Sequence, residues 1–134
     1  HISFVLSFLN GEEVSLAIEK IYRWLKPGGE FYIVNHTPFI GMIKKFLPIY
    51  EKRKEQGHLW PGYISNLKKY LVTNKYGNNI PNKVHQFDLS TLQNILKLHN
   101  RFSIKKSGYF TSNLLPHAYF LDGRELVGVV AIKN

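Results

Sequence analysis

Cysteine is absent from all 134 residues, which excludes disulfides, thiolate nucleophiles and cysteine-ligated zinc and fits a cytoplasmic setting. No apolar run approaches the roughly 20 residues of a membrane-spanning helix, and no charged segment leads into an apolar core and a cleavage site. Neither a membrane partner nor secretion is therefore expected. The six histidines stand singly, without an i, i+4 pair or an acidic partner at ligand spacing, so no metal site is expected. G-x-S-x-G is missing, and with it the elbow that presents a hydrolytic serine. The aromatic signature of an RNA-recognition sheet is missing too, despite eight tyrosines and nine phenylalanines. Acid is scarce: nine Asp and Glu stand against 18 Lys and Arg, a net charge of +9. Such a charge attracts polyanions, which makes nucleic acid a candidate partner. The lysines are scattered as Lys44-Lys45, Lys52 to Lys54, Lys68-Lys69 and Lys105-Lys106, so a solvated basic surface accounts for the same charge.

What is present has the punctuation of an α/β domain. Ile2 to Leu6 is short and apolar, as a strand is. Asn10, followed three residues later by Glu13, has the form of a capping box. Val14, Ala17, Ile18, Ile21, Trp24 and Leu25 then recur at helical spacing. Lys26-Pro27-Gly28-Gly29 stops the helix, since Pro27 cannot continue it and the glycines supply positive φ. Phe31-Tyr32-Ile33-Val34 is continuously apolar and aromatic, which predicts a strand from about Glu30 to Asn35 covered on both faces.

Beyond His36 the pattern weakens. Ile40 to Tyr50 suits an amphipathic helix that Pro48 should kink or end. Glu51 to Gln56 continues it as an exposed, charged stretch. Tyr63 to Val72 reads as a short helix and Asn74 to Asn79 as a turn. Val84 to Phe87 is extended, and Asp88 or Ser90 caps a helix bearing Leu92, Ile95 and Leu96. Phe102 to Phe110 and Leu126 to Ile132 read as strands, with Asp122-Gly123 as a turn between them.

The segment Leu25-Lys26-Pro27-Gly28-Gly29 and the strand after it resemble the turn into the fifth strand of class I S-adenosylmethionine-dependent methyltransferases. Ile2 to Leu6 is similar to that family's fourth strand. Val84-His85-Gln86-Phe87-Asp88 with Leu92 to Leu96 is similar to the lead-in to its last helix, and the final two strands resemble its closing antiparallel pair. The resemblance implies a partial Rossmann-like, doubly wound α/β sheet, with residues 38–80 as a helical insertion forming a lid over the substrate. It also implies S-adenosyl-L-methionine as cofactor and a small-molecule methyl acceptor. The family's Gly-rich loop and the acidic residue that holds the ribose have no counterpart here, and Gly28-Gly29 is a turn after a helix. With His1 at the start and Met42 as the sole methionine, residues 1–134 are read as the C-terminal part of one methyltransferase domain, with a complementary N-terminal half as an expected partner. Alone, such a chain is expected to bind the cofactor poorly, and its first strand would be an exposed edge.

By the resemblance, Ser3, Phe4 and Leu6 border the cofactor, although strand-end and core packing explain them as well. Ligands of open α/β sheets bind at the carboxyl ends of the strands. Asn35, His36 and Thr37 follow the fifth strand there. His36 is the candidate base or hydrogen-bond donor, with turn capping through Thr37 as the alternative. Trp60 and Tyr63 either wall an acceptor pocket or anchor the insertion. His85 either faces that pocket or is a satisfied structural histidine.

Overall fold

The computed structural model describes residues 1–73, 75 and 79–134. The chain forms a four-stranded sheet in the order β1-β2-β6-β5, with β1 Ile2–Ser3, β2 Glu30–His36, β5 Phe102–Phe110 and β6 Leu126–Lys133. A separate two-stranded ribbon pairs β3 Tyr63–Ile64 with β4 Val84–His85. The long helices are α1 Gly11–Trp24, α2 Leu47–Glu55 and α3 Leu89–Lys97. β1 runs parallel to β2, whereas β6 is antiparallel to both β2 and β5.

Local chemistry sets α1 and its exit. The Asn10 side chain accepts the Glu13 N–H at 2.9 Å, and Glu13 accepts the Asn10 N–H at 2.8 Å, closing the expected capping box. At the other end Gly28 adopts φ +77°, a conformation an L side chain resists. The turn is then sewn to β6: Gly28 N–H donates to the Lys133 carbonyl, and Lys133 N–H donates to that of Gly29. The Lys133 ammonium reaches the Tyr22 and Leu25 carbonyls at 2.7 and 2.8 Å, satisfying the end of α1 and placing positive charge on the negative end of its dipole.

The sheet is covered on one face. Val14 and Ile18 of α1 and Leu92, Ile95 and Leu96 of α3 share a buried cluster with Phe31, Ile33, Phe102, Val127 and Ala131. The opposite face carries Tyr32, Val34, Val130, Lys106 and Phe110, which line an open groove of about 560 Å³. Tyr32 is 43% exposed. The expectation of a strand covered on both faces is therefore met on one face only, because both sheet-packing helices lie on the same side. Residues 39–71 build a second core around Ile43, Phe46, Ile64 and Leu67.

Several elements differ from the sequence reading. The first strand ends at Ser3, because Phe4 takes φ +61° and residues 6–8 coil into a 3-10 turn. Pro48 starts α2 instead of ending a helix: it occupies the first turn, where its missing N–H has no partner to lose. The helix expected over Tyr63 to Val72 is β3 followed by a 3-10 turn at Leu67–Tyr70, since Tyr63 and Ile64 pair with His85 and Val84. Asp88, not Ser90, caps α3, accepting the Thr91 N–H at 2.7 Å. Of the turn expected over Asn74 to Asn79, residues 74 and 76–78 lie outside the described residues.

Candidate functional site

At the carboxyl ends of β1 and β2 lies a cavity of about 230 Å³ with a mostly apolar wall. Phe4, Ser7 and Phe8 form one side of it, and His36 the floor where β2 ends. Ile40, Met42, Ile43, Leu67 and Ile80 close it from the segment after β2, joined by Val84, Gln86 and Tyr119. The Phe4 ring stacks on His36 with centroids 4.5 Å apart, and Tyr119 meets the same imidazole edge-on at 5.5 Å. The φ of Phe4 gives that stack its geometry, turning the ring inward as the chain leaves the sheet while its N–H still donates to the Val34 carbonyl. Non-glycine residues in this region are strained, and such strain concentrates at functional positions. Burial lowers the pKa of His36, so the ring is neutral at neutral pH and carries a lone pair into an apolar space.

The other sequence-predicted residues sit around this cavity without lining it. Ser3 is exposed, its hydroxyl paired with the His1 ring, and Leu6 is core. Asn35 is fully buried and works as a bracket. Its Oδ1 accepts the Ser7 hydroxyl at 3.0 Å, while its amide donates to the carbonyls of His36 and His85. Thr37 donates to the Arg124 carbonyl and accepts the Phe39 N–H, fixing the exit of β2 as the turn-capping alternative anticipated. Trp60 and Tyr63 line a different, open groove beside Asn10, Arg53 and His58, and both lean edge-on against His85.

His85 is inaccessible to solvent and stacks on Phe87 at 4.1 Å. A carbonyl oxygen only accepts, so the 2.9 Å contact with Leu9 puts the proton on Nδ1. Nε2 is left buried without a partner, and burial lowers the pKa to about 4. Sequence reasoning missed Ser7, Gln86 and Tyr119. Each reaches the cavity from a different segment, so no local spacing marks them. Gln86 is notable because its Oε1 is buried without a donor.

Among the described residues no cluster of His, Asp or Glu is arranged to hold a metal ion. No helix is long and apolar enough to cross a membrane. Ser3 and Phe4 offer at most one wall to a nucleoside cofactor. The described residues contain no glycine-rich cradle of backbone N–H groups, so this chain by itself does not fit around S-adenosyl-L-methionine.

No family model matches the chain, and no curated protein matches it. Solved structures do. The PH0226 protein from Pyrococcus horikoshii OT3 superposes with a TM-score of 0.54 at 12% identity, covering 99% of this chain and 50% of that one. An S-adenosylmethionine-dependent methyltransferase from Mesorhizobium loti gives 0.52 at 16% identity, covering 98% of this chain and 59% of that one. The fold is thus α/β and class I methyltransferase-like. The chain spans between half and three-fifths of the length of these structures.

Proposed function

We propose that this chain is the C-terminal, acceptor-binding part of an S-adenosyl-L-methionine-dependent methyltransferase acting on a small molecule. The observation that carries the reading is the apolar cavity at the carboxyl ends of β1 and β2, with a neutral imidazole on its floor. In this reading residues 38–80 are the lid, since Ile40, Met42, Ile43, Leu67 and Ile80 all come from that stretch. A cofactor-binding half would pair with the free edge of β1 and cover the sheet face that carries Tyr32, Val34 and Val130. An uncovered apolar face and an unpaired edge beside it support that completion.

When bound, the cofactor supplies an electrophilic methyl group. The residues of this chain exclude water and orient the acceptor. His36 takes the proton from the acceptor hydroxyl or amine at whichever ring nitrogen faces it, and Phe4 holds the imidazole plane. Methyl displacement depends first on alignment, so most of the contribution of this half is positional. The test is equilibrium dialysis of tritiated S-adenosyl-L-methionine against the chain alone and against the chain joined to a cofactor-binding half encoded with it. Binding only in the joined protein is the expected result; no binding in the joined protein would remove the reading.

A further inference from the structure

We infer that the acceptor is a small amphipathic anion, its apolar body seated in the cavity and its anionic group held by Lys83. This rests on reading the cavity as the acceptor site. At about 230 Å³ the cavity falls below the roughly 300–1,000 Å³ of drug-sized pockets, so a phenyl or short alkyl body is the scale that fits. No charged side chain lines it. Ser7 and Phe8 are shared with a second recess of about 220 Å³, lined also by Asn10, Glu13, Tyr63 and Lys83. A molecule filling the cavity and passing Phe8 would therefore meet Lys83.

Lys83 is placed to receive an anion. It is exposed and makes no hydrogen bond or ion pair among the described residues. The carboxylate of that recess, Glu13, is engaged by the Asn10 N–H at 2.8 Å in the capping box. Glu13 keeps its negative charge, so Lys83 is the one cation among the described residues that line the recess, and the one carboxylate there is already held by a backbone donor. No acid occurs from residue 56 to residue 87, a stretch that contains Lys68, Lys69, Lys75 and Lys83. The segment between β2 and β4, which supplies much of the cavity wall, carries nine of the 18 basic residues and two of the nine acidic ones. A lysine ammonium binds phosphate or carboxylate as a compact point charge, which suits a single anionic group at a pocket rim.

The test is NMR titration of the chain with phenyl phosphate, phenol and benzylamine, reading the imidazole resonances of His36, which His36→Gln assigns. Phenyl phosphate is expected to move them and to bind at least fivefold tighter than phenol, with benzylamine weakest. Lys83→Ala should abolish the phosphate preference, whereas Lys20→Ala, an equal charge loss on α1, should preserve it. Equal affinity for phenol and phenyl phosphate would overturn the inference, as would indifference to Lys83→Ala or absence of any His36 shift at millimolar ligand. Displacement of phenyl phosphate by a single-stranded oligonucleotide at lower concentration would overturn it in favour of a nucleic-acid surface. No cofactor is needed in this titration. Loss of the anion preference in a protein that still binds S-adenosyl-L-methionine removes only the acceptor class. Loss of cofactor binding in the joined protein leaves the anion site standing.

Discussion

Acid should unfold this protein largely through one histidine. In the native state His85 stays neutral down to about pH 4, because its ring is buried; the Nδ1–H bond to the Leu9 carbonyl favours the protonated ring and offsets only part of that effect. In the unfolded chain the same ring protonates near pH 6.5. The unfolded state therefore binds more protons between these values, and stability falls as pH falls. The contribution is complete above about pH 6.5 and is lost at up to about 1.4 kcal/mol per pH unit below it. The total at pH 4 is about 3 kcal/mol, against a typical domain stability of about 5–15 kcal/mol. Urea unfolding followed by tyrosine and tryptophan fluorescence at steps from pH 7.5 to 4.5 measures it, with His85→Asn as the reference. Asparagine keeps a donor where Nδ1 sits, and so preserves the Leu9 contact, but it does not titrate. The variant starts less stable through the lost ring packing. The difference between the two proteins should shrink by about 1 kcal/mol or more for each pH unit below 6. His36 and Asp88 titrate in both and cancel. Parallel curves for the two proteins would refute the burial argument for His85.

Three further outcomes follow from the same geometry. A Cβ on Gly62 would lie 1.9 Å from the Gln86 carbonyl oxygen, so Gly62→Ala should cost about 2–3 kcal/mol in urea unfolding by forcing β4 away from the loop that bonds it. Burial alone would raise the pKa of Asp88, but hydrogen bonds from Lys54, Thr91 and Tyr50 outweigh it and hold the carboxylate ionised. Asp88→Ala removes the α3 cap and strands Lys54 and Tyr50, and a loss of about 3 kcal/mol is expected by thermal melting. Under the proposed function, burial of His36 is expected to move the acid limb of the joined protein's rate profile below pH 6.5, and His36→Gln to lower turnover by about 10²-fold or more with folding intact by circular dichroism.

Local chemistry was readable from residue order and the antiparallel β5–β6 pair from the resemblance, but the β3–β4 pairing was not. The Asn10–Glu13 box, the Lys26 to Gly29 turn and the strand Phe102–Phe110 are written in contiguous residues, and each stands where the pattern places it. Tyr63 to Val72 has helical spacing, but pairing with Val84 and His85, about 20 residues on, wins over propensity. Pro48 in mid-pattern predicts a kink or an end, and it begins α2 instead because a proline is ambiguous until the helix start is known. Of the candidate site residues, Phe4 and His36 meet in the cavity because both sit at strand ends. Ser7, Gln86 and Tyr119 join them only through tertiary packing. Asp88 was legible as one of two candidate caps, whereas its partners Lys54 and Tyr50 lie on a helix from the segment after β2.

The most direct test of the central claim is ultraviolet photolabelling of the joined protein with tritiated S-adenosyl-L-methionine, followed by peptide mapping. The account predicts label within residues 1–9, where Ser3 and Phe4 meet the open edge of β1, and its suppression by excess S-adenosylhomocysteine. Saturable label that spares residues 1–9 and falls on the Trp60–Tyr63 groove instead would contradict it.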